Sequence, residues 1–388
     1  MGPPDPVAPP KMRVPFNRPA IPAGALSMVE ESLASDHWSG DGPFAHRCEA
    51  MLAEILSSPR VLLTPSCTHA LELAALLLGL EPGDEVIIPS FTFVSTANAF
   101  ALRGARPVFA DIRADTLNLD ESGLETLIGE RTRAIVPVHY AGIGCRMDAI
   151  VDIAERHGIA VVEDNAHGLF GSYRGRPLGT FGRFSALSFH ETKNITCGEG
   201  GALVLGDDRD AERAEVLREK GTNRAAMFRG ETDKYTWVDV GSSYLMPDVQ
   251  AALLCAQLEA HMEIQAHRRH VWDTYMRELA GWSAANGVRL PVVPADCEPA
   301  YHMFYLLLRS QEERDSLIEH LRGVGIAAVF HYLPLHLSEV GRRFGGRPGQ
   351  CPVTEDVSGR LLRLPFYNDL GEVEQETVVE AIKAFGTA

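Results

Sequence analysis

Between residues 45 and 205 the chain repeats one pattern, in which helical stretches alternate with short, uninterrupted apolar runs of strand length. The spacing predicts helices over 45–56, 68–80, 95–103 and 147–157. It predicts strands over 85–89, 106–110, 134–139, 159–163, 184–189 and 201–204. A strand that is apolar at nearly every position, rather than at every second one, is buried on both faces. These strands therefore belong to a mainly parallel sheet with helices on either side, and the fold class is α/β. A long helix over 247–275 closes this unit. Beyond 282 the pattern becomes that of a smaller α+β unit, with strands over 302–308 and 327–330 and helices over 312–323 and 371–385. The expected division is a head over 1–22, a large domain over 23–275 and a small C-terminal domain over 276–388. The head carries eight of the 24 prolines, which reads as an extended segment lying on another surface or disordered.

Composition narrows the function. With 36 Lys and Arg against 52 Asp and Glu, the net charge of −16 opposes binding to a nucleic-acid backbone. No apolar run is long enough to span a membrane and the N-terminus lacks a signal-peptide pattern, so the expectation is a cytoplasmic protein with no membrane partner. The seven cysteines are spread out with no Cys-x-x-Cys pair, which argues against a disulfide framework and a zinc finger. Only five lysines occur, namely Lys11, Lys193, Lys220, Lys234 and Lys383. None follows a glycine, which excludes a P-loop.

In open parallel sheets ligands bind beyond the carboxyl ends of the strands, so the residues following each apolar run are the ones to weigh. Glu163 and Asp164 follow Val161-Val162 and lead to Asn165-Ala166-His167; an Asp there can equally be a helix cap. Lys193 follows the run ending at Phe189 and precedes Gly198-Glu199-Gly200-Gly201. A lysine is usually a solvated surface charge, but this one sits between a buried strand and a glycine-rich turn. Thr64-Pro65-Ser66-Cys67-Thr68 opens an apolar helix and forms either an anion site or a plain cap. Pro89-Ser90-Phe91-Thr92-Phe93 puts two aromatic rings at a strand end, where core packing is the ordinary alternative.

One cofactor explains all four. An amine, a buried carboxylate, an anion-binding helix start and a flat apolar ring are what pyridoxal phosphate requires. The amine forms a Schiff base, the carboxylate keeps the pyridine nitrogen protonated, the helix start holds the phosphate and the aromatic stacks on the ring.

The runs Ser188-Phe189-His190-Glu191-Thr192-Lys193-Asn194 with Gly198-Glu199-Gly200-Gly201, Glu163-Asp164-x-Ala166-His167, and Pro89-Ser90-Phe91-Thr92-Phe93 resemble the sugar aminotransferases of the DegT/DnrJ/EryC/StrS family, of fold type I. The likeness spans about residues 14–385. Leu63-Thr64-Pro65-Ser66-Cys67-Thr68, Val138-His139-Tyr140-Ala141-Gly142, Arg218-Glu219-Lys220-Gly221-Thr222-Asn223-Arg224 and Val329-Phe330-His331-Tyr332-x-Pro334-Leu335-His336 resemble the members that make dTDP-4-amino-4,6-dideoxygalactose.

This resemblance implies a homodimer with shared sites, using pyridoxal phosphate and passing through its pyridoxamine form. The reaction it implies moves an amino group from L-glutamate to C4 of dTDP-4-keto-6-deoxy-D-glucose. It makes Lys193 the Schiff-base lysine and proton carrier, Asp164 the partner of the pyridine nitrogen, and Phe93 the stacking ring. It places His167 behind the ring, where many relatives carry Gln, and puts Cys67, Thr68 and Ser188 at the phosphate. Ser243 stands where many members have an Asn that reaches the partner's phosphate. His331 would face the sugar, and Arg229, Lys234 and Tyr235 are candidates for the nucleotide's pyrophosphate. His331 and His336 remain equally readable as structural histidines, and their spacing without a Cys or carboxylate does not make a metal site. Relatives that remove a sugar hydroxyl carry His in place of the lysine, which Lys193 opposes. The product amine belongs to the galactose series or to the glucose series; a 3-aminotransferase acting on a dTDP-3-keto-6-deoxyhexose and a non-catalytic regulator on the same fold are the further alternatives.

Overall fold

The computed structural model describes residues 12–58 and 60–386. Seven strands form the main sheet: β1 (Arg60–Thr64), β2 (Glu85–Pro89), β3 (Arg106–Ala110), β4 (Thr132–Ile135), β5 (Ala160–Asp164), β6 (Phe184–Ser188) and β7 (Gly201–Leu205). Their order is β1-β7-β6-β5-β4-β2-β3. Only β7 runs antiparallel to its neighbours; the remaining pairs are parallel.

The continuous apolar runs have a direct cause. Leu62, Val86, Ile88, Val162, Leu203 and Leu205 face one apolar layer, while Val61, Leu63, Ile87, Val161, Ala202 and Val204 face the layers on the other side. Alternation persists, but both directions lead into apolar packing. The first layer is closed by α3 (Cys67–Leu77) and α4 (Val94–Ala101). The second is closed by α1 (Ala25–Ala34), α2 (Pro43–Leu56), α5 (Met147–His157) and α6 (Asp248–Glu259).

The structure revises several expectations. The run 134–139 pairs as a regular strand only to Ile135, since Pro137 has no N–H to donate; Val138 still bridges to Asp164 beside the sheet. The helix expected over 247–275 is two helices, α6 and α7 (His261–Asn286), joined at Ala260, whose ψ of 5° departs from helical geometry. Moreover α7 runs past 275. Its residues Val271, Tyr275, Leu279 and Trp282 pack into the core of the small C-terminal unit. That unit is built on an antiparallel sheet of β8 (Tyr305–Leu307), β9 (Val329–Phe330) and β10 (Leu361–Arg363), with β10 central, flanked by α8 (Gln311–Gly323) and α9 (Glu372–Ala384).

Residues 1–11 of the proline-rich head lie outside the described residues. From residue 12 the head is tied to the small unit. Val14 is buried there and bridges to Ile326, and Arg18 pairs with Asp369 and Glu374. No helix among the described residues is long and apolar enough to cross a membrane.

Candidate active site

The carboxyl ends of β2, β5 and β6, the start of α3 and the small unit enclose a cavity of about 530 Å³. Its lining includes Cys67, Thr68, Phe93, Asp164, His167, Ser188, Lys193 and His331, so residues spread from 67 to 331 in the chain converge on one space.

The start of α3 is built for an anion. Ser66 caps it, its Oγ accepting from the His69 amide at 3.1 Å, while the amides of Cys67 and Thr68 stand in the first turn, where no carbonyl of the helix can reach them. Gly201 lets β7 pass close by. A Cβ there would lie 2.3 Å from the Ser66 carbonyl carbon and 2.4 Å from the Cys67 nitrogen. The Thr68 hydroxyl donates to Ser95 Oγ at 2.8 Å.

The two acidic residues at the end of β5 separate cleanly. Glu163 is fully buried on one face of the strand. Its carboxylate accepts from the amides of Gly179, Phe181 and Gly182 and lies 2.8 Å from His139 Nε2, which saturates it. Asp164 turns to the cavity, accepting from Thr96 Oγ1 at 2.7 Å and the Ala166 amide at 3.2 Å. Burial raises its pKa against those bonds and the nearby Lys193 charge, so the carboxylate lacks sufficient counter-charge. Lys193 lines the same space. Burial, only partly opposed by Cys67 and Asp164, pushes its pKa down to about 8.

The remaining wall is a set of imidazoles and phenols. His167 stacks on His302 with centroids 4.3 Å apart and leaves its Nδ1 without a partner. His331 Nδ1 lies 3.1 Å from the Tyr140 hydroxyl. Burial drives all three histidines well below their ordinary pKa, so they are neutral. Phe93 is exposed at the rim, its ring 6.4 Å from that of Tyr332. His336 lies apart from this cavity, with Ser90 Oγ 2.6 Å from Nδ1 and Glu355 Oε1 3.0 Å from Nε2.

Four residues put forward from sequence are not brought here by their own chain. Ser243 is exposed and bridges to Glu219 through the backbone. Arg229 is ion-paired with Glu215 and Glu231, and Lys234 and Tyr235 are solvent-exposed. Conversely, sequence reasoning overlooked Thr96, His302, Tyr332 and Arg363, which line the cavity. Thr96 was readable as the i+4 partner of Thr92, and Arg363 as the lone charge in Leu361-Leu362-Arg363-Leu364.

A model of the DegT/DnrJ/EryC1/StrS aminotransferase family matches residues 19–383. The chain belongs to this family. It is 34% identical over 378 residues to the spore coat polysaccharide biosynthesis protein SpsC of Bacillus subtilis, covering 95% of this chain and 96% of that one. The structure of DesV from S. venezuelae superposes with a TM-score of 0.86 at 33% identity, covering 96% of this chain and 98% of DesV. The PLP-form of Spr1654 from Streptococcus pneumoniae, named a putative sugar aminotransferase, gives a TM-score of 0.88 at 29% identity, covering 95% and 97%.

This DegT/DnrJ/EryC1/StrS member is thus an aminotransferase of fold type I with pyridoxal phosphate as its cofactor. The residues present fit that group. Asp164 is a buried carboxylate short of positive charge, the α3 amides and hydroxyls form an anion cradle, and His167 presents a flat ring with an unpartnered nitrogen.

Proposed function

We propose that the enzyme transfers an amino group from L-glutamate to C4 of dTDP-4-keto-6-deoxy-D-glucose, giving a dTDP-4-amino-4,6-dideoxyhexose of the galactose series. The observation that carries a sugar acceptor is the neutral wall of His167, His302, His331 and Tyr332 beside Lys193. Neutral imidazoles and phenols both donate and accept, which suits the hydroxyls of an uncharged hexose ring. The position and configuration rest on the resemblance of 138–142, 218–224 and 329–336. The name of SpsC, tied to polysaccharide biosynthesis, and that of Spr1654, a sugar aminotransferase, support the class. A nucleotide-sugar substrate accords with a cytoplasmic location.

When bound, pyridoxal phosphate supplies the electron sink for the transfer. Asp164, oriented by Thr96 and the Ala166 amide, would hold its ring nitrogen, and Cys67, Thr68 and Ser188 would hold its phosphate. Phe93 and His167 would flank the ring. Lys193 moves the proton: with its pKa pushed down to about 8, its amine exchanges a proton readily near neutrality, taking one from the donor's α-carbon and returning one to the sugar carbon.

Arg229, Lys234, Tyr235 and Ser243 fit a homodimer in which one subunit's segment completes the other's site. The same segment leaves Phe228, Trp237, Val238 and Val240 exposed, which is apolar surface suited to a second copy. Mixed dimers of Lys193→Ala and Arg229→Ala subunits should recover part of the activity, and no recovery would make each subunit self-contained.

The reaction is tested by mass spectrometry and proton NMR of the product from dTDP-4-keto-6-deoxyglucose and glutamate. A C4 amine with a small H3–H4 coupling is expected. A large coupling would replace the galactose by the glucose series. Inactivity on this ketone with turnover of a dTDP-3-keto-6-deoxyhexose would replace the C4 reading altogether.

A further inference from the structure

Asn194 follows Lys193 in the chain and is buried, and its amide is fully engaged. Nδ2 donates to the Ala300 carbonyl at 2.6 Å and to Gln265 Oε1 at 3.1 Å, while the backbone carbonyl accepts from Asn368 Nδ2 at 2.9 Å. These partners settle which way the side-chain amide lies, because turning it over would set Oδ1 against the Ala300 oxygen with no proton between them. Oδ1 therefore faces His302 Nδ1 at 2.9 Å, and the proton of that bond belongs to the imidazole. Burial keeps this ring neutral, helped by His167 and by the charges of Lys193, Arg268 and Arg363 that face it. A neutral imidazole carries one N–H, so Nε2 is bare. The ring lines the cavity, stacked on His167, and among the described residues nothing donates to Nε2. Its backbone is pinned as well. Arg268 donates to the carbonyls of Tyr301 and His302 at 2.9 and 2.5 Å, and Tyr301 takes φ 51°, which a residue with a Cβ keeps only where its surroundings enforce it.

We propose that Asn194 is a positioning residue that presents His302 Nε2 to the cavity as a fixed hydrogen-bond acceptor, and that a hydroxyl of the sugar donates to it. The inference rests on the sugar-acceptor reading above and deepens it. A ketohexose brings hydroxyl protons. Glutamate, beyond the amine that takes the place of the Lys193 amine, brings only carboxylate oxygens, which a bare nitrogen repels. The phosphate of the cofactor offers no better match, being a set of acceptors too. An acceptor held in one tautomer favours a ligand that donates to it and disfavours one that cannot. Because Asn194 and Lys193 are consecutive, the bond that sets the tautomer of His302 also sets its place relative to the reacting amine.

The test uses the holoenzyme. With nitrogen-labelled histidine, the NMR signals lost in His302→Asn should report a ring that, in wild type, carries its proton on Nδ1 and none on Nε2 across the neutral pH range. His302→Asn keeps an N–H for Asn194 but has nothing in place of Nε2, whereas His302→Gln puts an amide group there. In single turnovers of each half-reaction, His302→Asn should lose about 10-fold more with the ketosugar than with glutamate, the value of one hydrogen bond whose donor is left unmatched, and His302→Gln should recover part of that difference. In Asn194→Asp a carboxylate favours the imidazolium, so the ketosugar half-reaction should gain an ionisation that wild type lacks, its rate rising with pH as His302 loses its proton. A proton on Nε2 in the wild type would overturn the proposal even if every variant failed to fold. So would equal losses in the two half-reactions, or a loss confined to cofactor affinity, which would assign the acceptor to the cofactor's ring hydroxyl. An enzyme with the expected tautomer that turns over no ketosugar would instead defeat the sugar-acceptor reading, and the hydroxyl contact with it.

Discussion

The low pKa of Lys193 has a consequence for folding that is separate from turnover. In cofactor-free protein, burial holds this amine at about 8 against an ordinary 10.5. Between those values the unfolded chain binds a proton that the folded chain has released, so stability rises with pH across that window; below it both states carry the proton and the folded state bears the whole cost of the confined charge. The gap of 2.5 pH units, at 1.36 kcal/mol each, comes to about 3.4 kcal/mol. Water in an open cavity screens part of this, which leaves about 2 kcal/mol. Lys193→Met has a similar length and no charge. The variant apoprotein should be more stable than wild type by about 2 kcal/mol at about pH 7, with the advantage fading towards zero as the pH approaches about 10.5. At roughly 2 °C per kcal/mol for a domain of this size, thermal melts should differ by about 4 °C near neutrality. Scanning calorimetry of the two proteins side by side cancels the cysteines and tyrosines that titrate in the same range. A variant less stable than wild type near neutrality, or a gap that does not change with pH, would show that the Lys193 charge is well solvated and refute the argument.

Borohydride treatment of the yellow holoenzyme should fix the cofactor to Lys193, and peptide mapping that found the adduct on Lys220 or Lys234 would overturn the assignment; Lys193→Ala should fold and lose transamination. Asp164→Asn should bind cofactor yet turn over at least about 100-fold more slowly, because a neutral partner lets the ring nitrogen lose its proton. Glu163→Gln should show the opposite profile. Its amide nitrogen would face N–H donors at Gly179 and His139, lowering the melting temperature by an amount worth about 3 kcal/mol, with little specific effect on the chemistry.

How legible the molecule was follows from where its constraints act. The parallel sheet could be read because both faces of every central strand are apolar, a property of local composition. The cavity groups at 67–68, 164 and 193 could be read because strand ends and helix starts are local too. The break at Ala260 could not, since neither Pro nor Gly marks it and neighbouring packing decides it. Nor could the docking of Val14 against Ile326, a contact between segments more than 300 residues apart. Arg363 left a local trace, a lone charge in an apolar run, but only the sheet order shows that this run is the central strand of the small sheet.

The same topology divides the chemistry between two units, and their alignment then becomes a requirement of its own. The end of β2 carries Ser90 and leads to the rim residue Phe93, while His336 follows closely on His331 in the small unit. Ser90 Oγ lies 2.6 Å from His336 Nδ1, its carbonyl accepts from the Leu335 amide at 3.0 Å, and Glu355 stands 3.0 Å from His336 Nε2. This buried relay fixes the small unit against the sheet without touching the cavity. Removing the imidazole in His336→Ala would leave Ser90 Oγ with only the residue-336 amide and Glu355 with only the Gly349 amide, and allow the units to shift. Because a shift displaces every small-unit contact together, donor and ketosugar half-reactions should fall by similar factors, roughly 10-fold to 100-fold for a displacement of about 1 Å. A donor-selective defect in His336→Ala, measured in single turnovers of each half-reaction, would mean that the relay acts on one binding group and not on the alignment of the two units.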